Sequence, residues 1–373
     1  MKSEAIDRPK VEILTIHFGI NHGSVLQCLA LSRTLEKLGA DVEVIDYVPA
    51  RYKMWENVKI KYPAKPLPWK LTFFFASSLV RLPQKLVFYR YLRRTLKLTK
   101  RYSTEMELLE DPPTADLFLV GSDQVWNSTY NGIADGSYML PFVPEGARRA
   151  SYAASIGRDD ISDADAECFA RALPQFDGVS VREARGTEIL RALGIECRQD
   201  LDPVFLFGRD RWTELASKKA MGERYVLVYV IAQNYGEMLT QAREIADRLE
   251  SKLFVLSVRP IRSSGVDRNY IFADPSDFLG LFSRAEFVVS NSFHGTAFSL
   301  IFHRPFLTYA TRYNSRIESI LELTGLHSRL VRDRFEDRQL DSGIEWSGVD
   351  EAIQSGVNDA KAYLSGLLGG CRA

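Results

Sequence analysis

Residues 285–303 change character halfway along, and this change determines the type of fold that the chain can adopt. Residues 287–289 are a short apolar run typical of a buried strand, whereas residues 295–302 are small and apolar in the manner of a packed helix. The polar turn at residues 290–296 joins them. A strand, a turn and a helix in this order place the turn at the carboxyl edge of an open α/β sheet, where such folds bind their ligands.

This turn offers the groups that bind an anion. The start of a helix provides unpaired N–H groups and the positive end of the helix dipole. Ser292 and Thr296 add hydroxyls, and Gly295 permits close approach of a ligand. His294 can exchange protons near neutral pH. Taken alone, the stretch is explained equally well by a capped helix with a packed histidine, so other segments must decide.

The first predicted strand of the chain also ends in a polar turn. A buried strand at residues 11–16 and a helix at residues 24–38 indicate an opening βαβ unit. Asn21, His22 and Gly23 then lie at a carboxyl edge of the sheet. The turn lacks the GxGxxG pattern of dinucleotide sites. Ordinary turn chemistry explains Asn21 and Gly23 as well as ligand contact does, and His22 fits either a surface or a site position.

A further polar turn follows the strand predicted at residues 116–120. Asp123 can act as a base or hold a sugar hydroxyl. Gln124 and Asn127 offer paired donors and acceptors, and Trp126 offers a flat face for a sugar ring. An Asx turn beside a core tryptophan is the structural alternative.

An arginine follows the strand predicted at residues 178–181. At the end of a strand, Arg182 points into the same crevice as the other turns. Its planar guanidinium is a natural clamp for a carboxylate or a phosphate. A surface ion pair with Glu183 is the alternative.

The alternation of strands and helices begins again at residue 225, after a break in the pattern that starts near Pro203. We therefore expect an α/β fold with two Rossmann-like domains that face a central cleft, similar in architecture to the GT-B glycosyltransferases. The first domain is predicted at residues 1–207. The second is predicted at residues 208–373, with a closing carboxyl-terminal helix.

Composition narrows the class of protein. Lysine plus arginine equals aspartate plus glutamate at 48 each, so no overall field attracts nucleic acid. The four cysteines are far apart and form no Cys/His cluster, which argues against a zinc site and a disulfide framework. The amino terminus lacks the apolar core of a signal peptide, and the longest apolar run, residues 71–80, is too short to cross a bilayer. We expect a cytoplasmic protein without a metal.

Charge is distributed unevenly along the chain. Residues 57–104 contain no acidic residue and twelve basic ones, interleaved with aromatic and aliphatic side chains. We expect a basic aromatic helical insertion in the first domain, suited to an anionic bilayer surface at the inner face of the cytoplasmic membrane or to a partner that carries phosphates. A packed helical insertion with a solvated basic face is the alternative. Nucleic acid is not expected as a partner, because no binding motif accompanies the basic patch.

Four stretches together resemble the polysaccharide pyruvyl transferase family. They are NHGSVLQCLAL at residues 21–31, GSDQVWN at 121–127, SVRE at 180–183 and SNSFHGTAFSL at 290–300. The resemblance implies transfer of a pyruvyl group from phosphoenolpyruvate to two hydroxyls of a sugar, with formation of a cyclic ketal and release of phosphate. It implies a role in the synthesis of capsule, exopolysaccharide or cell-wall polymers. Phosphoenolpyruvate is then a co-substrate, and no metal or cofactor is required.

The chemistry that the resemblance implies assigns roles to residues of the four turns. His294 is expected to act as the acid, Asp123 to orient or deprotonate the acceptor, and Arg182 to act as a catalytic cation. The donor and its phosphate are expected to contact Ser292, Phe293, Gly295, Thr296 and Arg316. The saccharide acceptor, linked to a polyprenyl diphosphate or to a nucleotide, is expected to contact Asn21, His22, Gly23, Gln27, Ser122, Gln124, Trp126, Asn127 and Ser155.

This chain departs from the family pattern at one position, and two other functions remain open. Family members often carry Arg-Leu-His where this chain has Ser292-Phe293-His294, so Arg182, Arg316 or backbone amides must supply the phosphate contact. A GT-B glycosyltransferase that uses a nucleotide sugar at the same cleft is the main alternative. A non-catalytic sugar-binding or scaffold protein of the cell-envelope machinery is the other.

Overall fold

The computed structural model of the protein describes residues 8–52, 64–131, 136–231 and 235–371. Residues 57–63, the beginning of the predicted basic insertion, lie outside the described residues. Among the helices that are described, none combines the length and the apolar character that crossing a membrane requires.

Five parallel strands form the first sheet. They are β1 (Lys10–Leu14), β2 (Asp41–Tyr47), β3 (Leu98–Tyr102), β4 (Leu117–Val120) and β5 (Arg148–Ser151). Their order is β3-β2-β1-β4-β5, and all four pairings are parallel. Beyond β5, two short parallel strands continue the layer: β6 (Ser180–Val181) and β7 (Arg198–Gln199). Strands such as β4 are buried along their whole length, as expected for a parallel sheet covered on both faces.

Six parallel strands form the second sheet. They are β8 (Tyr225–Val230), β9 (Lys252–Ser257), β10 (Arg268–Tyr270), β11 (Phe287–Ser290), β12 (Phe306–Tyr309) and β13 (Leu330–Val331). Their order is β10-β9-β8-β11-β12-β13. The expected α/β fold with two parallel sheets is confirmed.

Helices connect the strands in both halves. In the first half they are α1 (His22–Lys37), α2 (Leu67–Thr95), α3 (Glu105–Glu110), α4 (Ser128–Asn131), α5 (Asp163–Ala172) and α6 (Ala184–Ala192). In the second half they are α7 (Arg209–Leu215), α8 (Gly236–Arg248), α9 (Pro275–Arg284), α10 (Phe293–Ile301), α11 (Ser315–Leu323), α12 (Asp337–Asp341) and α13 (Trp346–Gly369).

One apolar core passes from the first half to the second. It contains Val25 and Leu29 of α1 together with Phe278 of α9 and Phe298 of α10. Packing between α1 and the helices that flank β11 therefore joins the two halves of the molecule.

The last helix contacts both halves of the molecule. At its start, Trp346 stacks on His303 with 4.6 Å between the ring centroids. Near its end, the hydroxyl of Tyr363 donates a hydrogen bond to the carbonyl of Ser151 at 3.0 Å. The helix thus ties the edge of the first sheet to the domain that contains α10.

The basic segment contains less helix than the sequence suggested. The helix α2 ends at Thr95, and β3 follows as an edge strand beside β2. The last part of residues 57–104 therefore belongs to the sheet, and the inserted helix is one long element.

Candidate active site

The carboxyl edges of the two sheets face each other, and the turns at residues 21–23, 121–127 and 290–296 meet between them. The guanidinium of Arg182 lies 4.6 Å from the ring centroid of Phe293 in the opposite half. The backbone N–H of Ala184 donates to the hydroxyl of Ser319 across the same boundary at 3.1 Å. The site is thus assembled from both halves.

His294 lies buried in the first turn of α10, next to the first half of the molecule. Its Nε2 is 3.6 Å from Oδ2 of Asp202 and has no hydrogen-bond partner among the described residues. The other edge of the ring faces Gly23, where an added Cβ would lie 2.0 Å from Nδ1. Only glycine at position 23 leaves room for this imidazole.

Asp202 connects three polar side chains of the site. Its Oδ2 accepts hydrogen bonds from Arg182 Nη1 and, at 3.1 Å, from the hydroxyl of Ser122. Its Oδ1 accepts from the backbone N–H of Val204 at 3.1 Å. Burial raises the pKa of Asp202, but the neighbouring His294, the charge of Arg182 and the Val204 N–H outweigh it and hold the pKa well below its usual range. Asp202 is therefore a buried carboxylate.

Arg182 is only partly satisfied by these contacts. Its Nη1 also lies 3.4 Å from the hydroxyl of Ser122. Its Nε and Nη2 are buried and have no hydrogen-bond partner among the described residues. Buried donors without partners are rare in proteins, so two nitrogen atoms of Arg182 are available to donate to a bound ligand.

A second cation faces Arg182 across a cavity of about 510 Å³. Arg316, at the start of α11, lines this cavity and forms no hydrogen bond or ion pair with the residues that the structure describes. Burial lowers the pKa of Arg316, and the like charge of Arg182 lowers it further. An anion between the two guanidinium groups would remove this repulsion, and the cavity has a size typical of small-molecule sites.

Asp123 is fixed in an unusual backbone conformation. Its φ is +77°, in the left-handed region, and the carbonyl of Asp123 accepts hydrogen bonds from the N–H groups of Val125 and Ser155. The carboxylate accepts from the Gln124 N–H at 2.9 Å and from the hydroxyl of Ser24. Backbone strain of this kind persists where surrounding contacts enforce it, which is common at functional sites.

Three of the residues predicted to bind the acceptor are engaged in packing. His22 stacks on Phe278, with 5.1 Å between the ring centroids, and its Nε2 lies 3.0 Å from the carbonyl oxygen of Ala273. Trp126 is buried against Phe169, so the indole face expected for a sugar ring is covered. The amide of Gln27 donates to the hydroxyl of Thr15, to the Ile16 carbonyl and to the Ser24 carbonyl. These side chains hold the site's loops in place.

The remaining acceptor candidates mostly shape the turns. Asn21 caps α1 by accepting from the Gly23 and Ser24 N–H groups. The amide of Asn127 donates to Oε1 of Gln124 at 2.8 Å. The hydroxyl of Ser155 donates to Oε1 of Glu183 at 3.1 Å, which engages the acid that the sequence offered as a partner for Arg182.

The donor candidates on α10 are arranged around its first turn. The N–H of Ser292 donates to the hydroxyl of Ser290 at 3.1 Å. The hydroxyls of Thr296 and Thr308 are 2.7 Å apart. An added Cβ at Gly295 would lie 2.1 Å from Oγ of Ser290, so a side chain at position 295 would collide with the end of β11. The hydroxyl of Thr296 thus supports the turn.

Sequence reasoning missed Asp202 and Ser24. Asp202 lies three residues after β7, and this strand of two residues is too short to be detected in the sequence, so the strand-end signal that identified Arg182 did not identify Asp202. It was instead assigned to a crossing between domains because Pro203 follows it. Among the described residues, no group of three or more His, Cys, Asp and Glu side chains is arranged to hold a metal ion.

Comparison with known proteins gives a family and a fold. The model of the polysaccharide pyruvyl transferase family matches residues 21–313, which is most of the chain. A search of the curated proteins finds no matching sequence.

Solved structures resemble the whole chain at low sequence identity. The structure of UDP-N-acetylglucosamine 2-epimerase from Rickettsia bellii is 11% identical, with a TM-score of 0.51, over 98% of this chain and 96% of that one. UDP-GlcNAc 2-epimerase from Neisseria meningitidis, bound to UDP-GlcNAc, is 13% identical, with a TM-score of 0.48, over 95% and 93% of the two chains. At such identities the likeness concerns the fold alone, and the Rickettsia bellii structure confirms the GT-B-like arrangement of two Rossmann-like domains.

Proposed function

Since this chain belongs to the polysaccharide pyruvyl transferase family, we propose that it transfers a pyruvyl group from phosphoenolpyruvate to two hydroxyls of one sugar. Two C–O bonds form at C2 of the donor, the C2–O bond to phosphate breaks, and a cyclic ketal results. One hydroxyl proton of the acceptor ends on the methylene carbon and the other leaves with the phosphate. The observation that carries the proposal is the pair of cations, Arg182 and Arg316, that line one cavity together with Asp202, the carboxylate nearest to His294.

The donor carries two anionic groups, and the two arginines bind them. Its carboxylate and phosphate are the anions that suit the free N–H groups of Arg182 and the guanidinium of Arg316, which lines the same cavity. The N–H groups at the start of α10 add further donors. These groups compensate for the absence of an arginine at position 292.

His294 supplies the proton in this proposal. Ketal formation needs an acid that protonates the methylene carbon and gives C2 cationic character. The ring's Nδ1 edge lies against Gly23, whereas Nε2 points toward Asp202 and lacks a hydrogen bond. Proton delivery therefore falls to Nε2, with the Asp202 carboxylate 3.6 Å away to pair with the charged ring.

Asp123 takes protons from the acceptor hydroxyls. Its carboxylate is held by Ser24 and by the Gln124 N–H, so its direction is fixed before a sugar binds. The acceptor is a saccharide that belongs to capsule, exopolysaccharide or cell-wall synthesis, carried on a polyprenyl diphosphate or a nucleotide. The protein acts in the cytoplasm, at the inner face of the membrane when the acceptor is lipid-linked. The scheme requires no metal or cofactor.

Phosphate release from phosphoenolpyruvate, with and without a lipid-linked saccharide extract, tests this proposal. Release that depends on both the extract and His294 supports pyruvyl transfer, and His294→Ala should lower the rate by about 10²- to 10⁴-fold. His303→Gln is the matched control, because His303 pairs with Asp350 on the surface. Thermal stabilisation by uridine or guanosine diphosphate, without stabilisation by phosphoenolpyruvate, would instead indicate a glycosyltransferase.

A further inference from the structure

The helix α2 presents a continuous apolar stripe to solvent. Leu71, Phe75, Leu79, Leu82 and Leu86 are spaced by four, four, three and four residues, which places them on one face of a helix. Phe75 is 65% exposed, Leu79 is 80% exposed and Leu82 is 56% exposed. We call these five side chains the α2 stripe. Isolated exposed leucines are normal, but a contiguous exposed row marks an interaction surface.

The opposite face of α2 is fixed to the body of the protein. The amide of Gln84 donates to the carbonyls of Val258 and Ile271, at 3.1 Å and 2.6 Å. Phe88 packs against His22, with 4.9 Å between the ring centroids. The helix therefore cannot roll to bury its stripe without breaking these contacts.

The charge around the stripe is of one sign. Residues 57–104 contain twelve basic residues and no acidic residue. Arg90, Arg93 and Arg94 are exposed near the carboxyl end of α2, where the stripe ends. Tyr89, an aromatic residue suited to a membrane interface, is 40% exposed beside them.

We propose that the α2 stripe docks on an anionic lipid bilayer, with α2 lying in the plane of the interface. Apolar side chains on one face of a helix insert at the boundary between headgroups and acyl chains, and flanking cations bind anionic headgroups. A second copy of this chain is a poor occupant, because pairing two α2 helices would bring two wholly cationic segments together. A uniformly anionic surface matches the segment along its length.

Co-sedimentation of the full chain with phospholipid vesicles tests the docking surface, in the absence of donor and acceptor. Binding is expected with vesicles of phosphatidylcholine plus phosphatidylglycerol and should be much weaker with phosphatidylcholine alone. The triple variant Phe75→Ser, Leu79→Ser, Leu82→Ser should lower the partition coefficient by on the order of tenfold or more. Met221→Ser is the matched control, because Met221 is 68% exposed and lies far from α2 in sequence.

The contribution of charge is measured separately. The variant Arg90→Gln, Arg93→Gln, Arg94→Gln should bind the anionic vesicles more weakly, and the wild type should be released by salt. Equal binding to both vesicle types, or unimpaired binding of the stripe variant, overturns the proposal. A wild-type dimer that ignores vesicles and dissociates in the stripe variant also overturns it, since a second copy would then cover the stripe. None of these results depends on pyruvyl transfer.

Discussion

Gly23 and His294 come from opposite halves of the molecule and touch: a Cβ at position 23 would lie 2.0 Å from Nδ1 of the imidazole. The contact fixes the side chain proposed as the acid against the first turn of α1. The position of the imidazole therefore depends on residue 23 being glycine.

Gly23→Ala should move the His294 ring and lower kcat/KM for phosphoenolpyruvate by about a hundredfold, because small displacements of a reacting group have effects of this size. Initial rates of phosphate release measure the change. Gly236→Ala is the matched control, since among the described residues no atom outside its own turn of helix lies within 4 Å of the Cβ that it adds. Normal turnover of Gly23→Ala would show that the imidazole can shift without consequence.

Asp202→Asn should destabilise the fold by about 3–5 kcal/mol, because Arg182 would remain buried without its counter-charge. Urea unfolding at neutral pH measures the loss. Asp200→Asn should have a smaller effect, because its partner Arg198 is 38% exposed. Equal losses in the two variants would contradict the central position of Asp202.

The low pKa of Asp202 also sets the pH range of this effect. The stabilisation is fully present above the pKa of an unfolded aspartate, about 3.9. It is lost only as the pH falls through the lower folded value. The wild type should therefore keep this advantage over Asp202→Asn at about pH 5 as well as at neutral pH.

Arg316→Gln should raise the KM for phosphoenolpyruvate by about ten- to a hundredfold, because it removes a charge-assisted contact to the donor. It should destabilise the fold little, because Arg316 forms no hydrogen bond or ion pair with a described residue, and the substitution removes the repulsion from Arg182 together with the attraction to nearby carboxylates. Donor titration in the phosphate-release assay, together with thermal melting, separates the two effects. Arg312→Gln, an exposed arginine nearby, is the control. A large loss of melting temperature in Arg316→Gln would contradict a role in donor binding.

His22→Gln should weaken the pH dependence of stability between about pH 4 and 6.5. Burial lowers the pKa of His22 to about 4, with the Ala273 carbonyl opposing the shift. In this range the unfolded state binds a proton and the folded state does not, so the wild type loses up to about 3 kcal/mol as the pH falls.

Urea unfolding at about pH 7 and pH 5 measures this difference between wild type and His22→Gln. Burial raises the pKa of Glu12 to about 7, and this carboxyl lowers stability as the pH rises. Glu12 is present in both proteins, so subtracting the two curves isolates His22. Identical slopes would mean that His22 takes up a proton without unfolding the protein.

Local sequence patterns were sufficient to predict most strands and helices. The run at residues 287–289 and the helix that follows it appear in the structure as β11 and α10, because hydrophobic period and turn chemistry are local properties. The turns at Gly23, Asp123, Arg182 and His294 were also predicted to meet, since parallel strands end at one edge.

Side-chain partners across the chain could not be predicted in this way. Arg182 meets Asp202 only because β6 and β7 pair, and strands of two residues have no detectable period. Trp126 turns toward the core because Phe169, on a separate helix, covers it. Local sequence identifies a residue as a site candidate, but long-range packing decides which way it points.

The helix α13 has one further consequence. It begins beside His303 in the second half and ends beside Ser151 in the first, so the halves are joined both there and through the chain after β7. When two halves are joined at two points, they can move relative to each other only by rotation about the line between those points. Opening and closing of the cleft should therefore follow one hinge axis, without the sliding that a single linker would permit.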